Sequence, residues 1–178
     1  MVVAALVMGV RVAGAAEPGQ PRTIHLEMKD EATIEDDVVA RAQCEVARIF
    51  AEAGVTIRWT DSGPRFTVSI VPQVLGYARA GSGVMGVALR KAGGGTAQIF
   101  LKQVRNFSHE HRVDLGVLLA YVIAHEVGHL LLPGTPHSST GLMRADWDRS
   151  IVNSVVDGTL SFTDAQAQRI RGTRLLSM

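Results

Sequence analysis

Apolar and polar positions recur along the chain with two different periods, and the switches between them divide it into elements. From residue 22 to 29 the apolar side chains Ile24, Leu26 and Met28 fall on every second position, the period of a half-buried strand with His25 on its outer face. From 34 to 53 the spacing lengthens. Val38, Val39, Ala42, Val46, Ile49 and Phe50 then share one face of a 3.6-residue repeat, and Gly54 closes the helix they predict. Strands follow at 55–60 and, past the turn-forming Asp61-Ser62-Gly63-Pro64, at 66–71. Two further strands are read at 84–89 and 97–104. Residues 114–132 then form a long helix with Asp114 as its cap and Pro133-Gly134 as its stop, and 161–171 a last helix begun at Thr163 or Asp164.

The run Gly81-Ser82-Gly83-Val84-Met85-Gly86 matches the GxGxxG dinucleotide fingerprint by letter. That fingerprint needs a strand leading in, a helix leading out and an acidic residue about twenty positions on. Here a short apolar run broken by Gly93-Gly94-Gly95 follows, and Asn106 stands where the acid belongs. Val84, Met85, Gly86, Val87, Ala88 and Leu89 are therefore read as a sheet-edge strand and not as a nucleotide cradle.

A length of 178 residues with 47% hydrophobic content suits a single domain, taken as 17–178. Eighteen basic against seventeen acidic residues, no basic run and few aromatics give no reason to expect nucleic acid or an anionic membrane as partner. Residues 1–16 are apolar and end in Ala13-Gly14-Ala15-Ala16, which reads as the core and cleavage site of a signal peptide, so that a secreted or periplasmic location is expected. The first strand then starts so soon after the cleavage site that no propeptide is expected. Cys44, the single cysteine, cannot form an internal disulfide and is read as a core residue of the first helix.

Within the long helix lies His125-Glu126-Val127-Gly128-His129. One turn of helix separates the two histidines, so both can grip one metal ion, while Glu126, about 100° round the axis, can serve as a base toward a water beside it. A catalytic zinc takes three protein ligands and keeps a fourth position open. No glutamate follows Glu126, so the third ligand is sought in His137, eight residues past His129, with Asp146 and Asp148 as fallbacks.

This HExxH, with Gly134, His137 and Met143 after it, resembles the HExxHxxGxxH motif and methionine turn of the metzincin zinc peptidases. His137-Ser138 and Leu142-Met143 are most similar to the matrixin branch. The spacing departs at one point, with two extra residues between His129 and Gly134. The resemblance implies a zinc endopeptidase in which His125, His129 and His137 hold Zn2+, Glu126 is the general base and Met143 floors the ligands. It implies an α+β fold: a mixed, twisted sheet of about five strands, a long metal helix, and a small lower subdomain with the methionine turn and a C-terminal helix. In that family a peptide substrate pairs antiparallel with the edge strand over the cleft, the role of 84–89 here. Trp147 would wall the pocket beside the cleaved bond or seal the lower subdomain. The tyrosine that some members place two residues after the methionine is Ala145 here.

Other chemistry is weaker. His109 and His111 flank Glu110 and read as loop residues, or with Asp114 as a second, structural metal site; Tyr121 shares the face of His125 and borders the site or joins the core. Ser138 and Ser139 lack a GxSxG elbow, and Cys44 has no motif linking it to a histidine, so covalent catalysis is not expected. The rival readings are a zinc-binding module of the same fold that acts by protein binding, and an intramembrane protease, which the lack of a second long apolar segment argues against. A monomer acting on peptides or proteins is the expectation.

Overall fold

The computed structural model describes residues 22–73, 83–132, 134 and 137–172. In chain order the elements are β1 (Arg22–Asp30), α1 (Asp36–Glu52), β2 (Val55–Trp59), β3 (Phe66–Val71), β4 (Gly86–Lys91), β5 (Gly94–Phe100), α2 (Leu101–His111), α3 (Leu115–Leu131), α4 (Arg149–Val156) and α5 (Asp164–Gly172). The five strands form one mixed sheet in the order β2-β1-β3-β5-β4. β1 runs parallel to β2 and β3, and β3 parallel to β5, whereas β4 returns antiparallel to β5 and, among the described residues, has no neighbour on its other side.

Parallel neighbours require crossovers, and α1 supplies the one from β1 to β2. It packs along α3, and α3 reaches β4 and β5. Ile24, Leu26, Val46, Ile49, Phe50, Val68, Ile70, Ile99, Leu119 and Ile123 interlock in the resulting core. α3 is buried on nearly every side, which accounts for its almost continuous apolar run. The Asp114 side chain accepts from Val117 N at 3.0 Å and fixes where this helix begins. Among the described residues, no helix is long and apolar enough to cross a membrane.

The α+β class, the mixed five-stranded sheet, the edge strand and the long helix agree with the sequence reading. Four details do not. The strand expected at 97–104 ends at Phe100, where α2 starts. Ala97, Ile99 and Leu101 carry the two-residue period one step past the junction, while Leu101 and Val104 are the buried positions of the new helix. The edge strand begins at Gly86 rather than Val84, although Met85 O still accepts Phe100 N at 2.8 Å. Helix α4, capped by Asp148 and buried through Ile151, Val152 and Val155, has no counterpart in the sequence reading. Cys44 is exposed, because α1 turns Ala42, Val46, Ile49 and Phe50 inward. The leader read at 1–16 lies outside the described residues, as do Gly81 and Ser82 of the glycine run, which leads into strand β4 and not into a helix.

Candidate metal centre

Helix α3 fixes the first two histidines. Being one turn apart, His125 and His129 meet at 3.1 Å between their Nε2 atoms, and His137 brings its own Nε2 to 3.1 Å from that of His129. These three are the only group of metal-ligating side chains among the described residues, with all ligand atoms within 4.8 Å of one another. Zinc bonded to imidazole nitrogens at 2.0–2.1 Å with tetrahedral angles would hold them roughly 3.3 Å apart, close to the two spacings of 3.1 Å. The two additional residues of the motif therefore do not prevent His137 from reaching the site. Gly134 adopts a φ of 69°, in the left-handed region that suits the expected turn; Pro133 is outside the described residues.

The protonation pattern also suits a ligand set. His125 Nδ1 lies 2.8 Å from the Leu142 carbonyl oxygen, which can only accept, so Nδ1 carries the hydrogen and Nε2 presents a lone pair. Burial pulls the His125 pKa down to about 4, assisted by the neighbouring His129 and His137 and opposed by the Leu142 contact. Burial likewise lowers the pKa of His129, with His137 and the Arg90 cation adding to it. The two helix histidines are thus held neutral, as metal ligands must be.

Glu126 sits in the same cleft but turns toward the sheet. Strand β4 passes so close above it that a Cβ added at Gly86 would stand 2.8 Å from Glu126 Cγ and 3.1 Å from Oε1. Only 7% of the residue is accessible. Burial alone raises its pKa to about 7. A carboxyl poised near neutrality in a cleft beside a metal-ligand cluster is a candidate acid–base group.

The turn beneath the ligands is built from buried atoms. Met143 is 1% exposed, and its Sδ would lie 2.6 Å from a Cβ placed at Gly128, inside the HExxH turn of α3. No larger residue fits at 128 while the thioether stays there. Ser138 N donates to Met143 O at 2.9 Å, so the strand of chain bearing His137 is stitched to the methionine turn.

A cleft of about 680 Å³ flanks the centre, lined by Val84, Met85, Gly86, Phe107, Val122, His125, Glu126, His137 and Trp147 among others. Trp147 meets His125 edge-on at 6.2 Å between ring centroids and Phe107 at 6.4 Å. A second cleft of about 370 Å³ continues along β4 past Val87, Ala88 and Arg90 to His129 and Leu132. Leu89, 44% exposed, lines neither.

The remaining sequence candidates fall elsewhere. Asp148 is not a ligand, since its Oδ1 caps α4 through Ser150 N and Ile151 N and its Oδ2 accepts from Arg144. Asp146 lines the larger cleft without joining the histidines. His109 and His111 lie on helix α2, where a spacing of two puts them on different sides; the His111 ring meets Phe107 at a tilt, 4.2 Å between centroids. Tyr121 is fully buried, and its hydroxyl accepts from Arg48 of α1 at 2.9 Å, which makes it core. Phe107, Val122 and Arg90 were not foreseen. The one signal for Val122 was its place three residues before His125, and for Phe107 the three-residue step from Val104. The chain matches no protein-family model and no curated protein.

Proposed function

We propose that this protein is an exported zinc-dependent endopeptidase with a metzincin-like catalytic domain, and that Glu126 is its general base. The observation that carries the reading is a buried carboxyl sharing one cleft with three converging imidazoles beneath the edge strand of the sheet. His125, His129 and His137 would hold the zinc, which when bound acidifies water and polarises a carbonyl.

The chain's own groups supply the rest. Among the described residues the outer edge of β4 has no strand partner for its backbone N–H and C=O groups, and an extended peptide adds there as a sixth strand, antiparallel to β4. Gly86, bare of a side chain, lets the bound backbone and Glu126 approach each other. Glu126 accepts a proton as the water oxygen bonds to the peptide carbonyl carbon; it then delivers that proton to the nitrogen as the C–N bond breaks. A pKa near 7 suits a group that must both take and give. Met85, Phe107, Val122 and Trp147 form an apolar wall for a side chain next to the cleaved bond. Met143 packs under the ligands and touches no reacting atom.

Incubation of the zinc-loaded protein with a mixed peptide library tests this. Internal cleavage that stops on chelation and returns with zinc is the expected result. Zinc bound at one per chain without cleavage would leave a binding module of the same fold and overturn the enzymatic reading. Export is checked by N-terminal sequencing of the cell-exported protein, which should lack residues 1–16.

A further inference from the structure

We infer that Gln166 is a positioning residue for the third metal ligand: through Ser138 it pins the segment carrying His137, so that helix α5 governs the affinity of the metal centre. The inference rests on the three-histidine part of the proposed function and is independent of peptide hydrolysis.

The three ligands are not held equally. His125 and His129 stand on a buried helix, whereas His137 is exposed and lies outside any helix or strand. What restrains it is its neighbour. Ser138 N donates to Met143 O at 2.9 Å, its Oγ donates to Thr140 O at 2.7 Å, and that same Oγ accepts from Gln166 Nε2 at 3.1 Å.

The donors and acceptors admit one arrangement only. Thr163 and Gln166 form a reciprocal capping pair at the start of α5: Thr163 N donates to Gln166 Oε1 at 3.0 Å, and Gln166 N donates to Thr163 Oγ1 at 3.3 Å. Because Oε1 is committed to the cap, the amide cannot flip, and Nε2 must face Ser138. Because the Ser138 hydroxyl hydrogen is spent on Thr140 O, its oxygen must accept. Gln166 is 6% exposed, so water cannot readily take the place of either partner. Helix α5 is itself fastened at its far end, where Arg22 Nη1 of β1 donates to Ile170 O at 2.6 Å. A chain of contacts thus runs from the sheet through α5 and Ser138 to His137.

The test uses the full chain and measures zinc affinity by chelator competition, together with the visible spectrum of the cobalt-substituted protein. Gln166→Glu keeps an oxygen for the Thr163 cap but loses the N–H toward Ser138; the serine can then satisfy the carboxylate only by releasing Thr140. Ser138→Ala removes the other half of the contact with a minimal change. Each should weaken zinc binding roughly 10- to 100-fold and alter the cobalt spectrum. The double variant should be no weaker than the worse single one, since both remove one link. Thr163→Ala, which removes the hydroxyl half of the cap and keeps the Thr163 N–H on Gln166 Oε1 and so the amide facing Ser138, should lower thermal stability while zinc affinity stays within about twofold of the parent. The inference is overturned if Ser138→Ala and Gln166→Glu bind zinc like the parent, if their effects add, or if Thr163→Ala weakens zinc as much. A parent that binds no zinc would overturn the three-histidine centre and this inference together. Normal affinities with no peptide cleavage would strike the peptidase reading alone.

Discussion

His125 Nδ1 stands 2.8 Å from the carbonyl oxygen of Leu142, and through this contact helix α3 and the turn beneath it set each other's position. Met143, the next residue, fills the space under Gly128 in the same helix. Truncating it with Met143→Ala leaves a cavity below the ligands and should cost about 2–5 kcal/mol of stability. Met143→Leu should cost less than about 1.5 kcal/mol. Urea unfolding of the metal-free proteins checks both.

Gly86 is the residue of β4 that lies over Glu126. In Gly86→Ala the new methyl would need the space 2.8 Å from Glu126 Cγ, and the Gln98 carbonyl oxygen 3.1 Å away blocks retreat. Glu126 or the strand must shift. Since an error of about 1 Å in placement can cost about 100-fold in rate, peptide cleavage should fall by roughly that factor. Zinc content should be unchanged, because the histidines are not touched.

Arg90 ties the free edge strand to the end of the metal helix, donating through one Nη2 to His129 O at 2.8 Å and Leu130 O at 2.6 Å. These are carbonyls at the negative end of α3, where a cation is favourable. Arg90→Ala should destabilise the protein by about 1–3 kcal/mol and speed amide exchange in β4 more than in β3. Equal exchange in both strands would show that Arg90 does not anchor the edge.

The two buried titrating groups give stability opposite dependences on pH in the metal-free protein. Glu126 has a pKa of about 7 when folded against 4.5 ordinarily, so between these values the folded state keeps a proton that the unfolded chain has lost, and stability falls as pH rises. His125, at about 4 against 6.5, does the reverse: the unfolded chain binds the extra proton, and stability rises through that window. Comparing Glu126→Gln with the parent isolates the first effect. The variant's advantage should grow from pH 4.5 to pH 7, by roughly 3 kcal/mol at most, and level off above it. Denaturant unfolding at a series of pH values in chelator measures it, and a difference independent of pH would contradict the assigned environment.

The sequence made most of this site legible, for reasons particular to its residues. His125 and His129 needed only helical spacing, and the Asp114 cap and continuous apolar run guaranteed the helix. Strands β1 and β2 show the two-residue period because one face of each is core, whereas β3 is buried on both faces from Val68 to Val71. The losses came where local pattern and tertiary role part company. At Leu101 the chain passes from strand to helix with an apolar residue that fits both periods, so the sequence pattern extends the strand over 101–104, the first turn of α2. Asp148 carries a carboxylate near His137 in sequence, yet its Oδ1 caps α4 and its Oδ2 accepts from Arg144. Cys44, among the residue types most often buried, lies on the outer face of α1. The contact from Gln166 to Ser138 spans 28 residues, and no spacing rule reaches across that distance.

The most direct measurement is the rate of peptide hydrolysis by Glu126→Gln beside the parent, with both proteins shown to carry equal zinc. The substitution is nearly isosteric, leaves the three histidines in place and removes only the ability to take and return a proton. The account predicts a loss of roughly 100- to 10,000-fold with zinc affinity retained. Turnover by the variant at the parent's rate would contradict it, because the proton would then have to travel through some group other than Glu126.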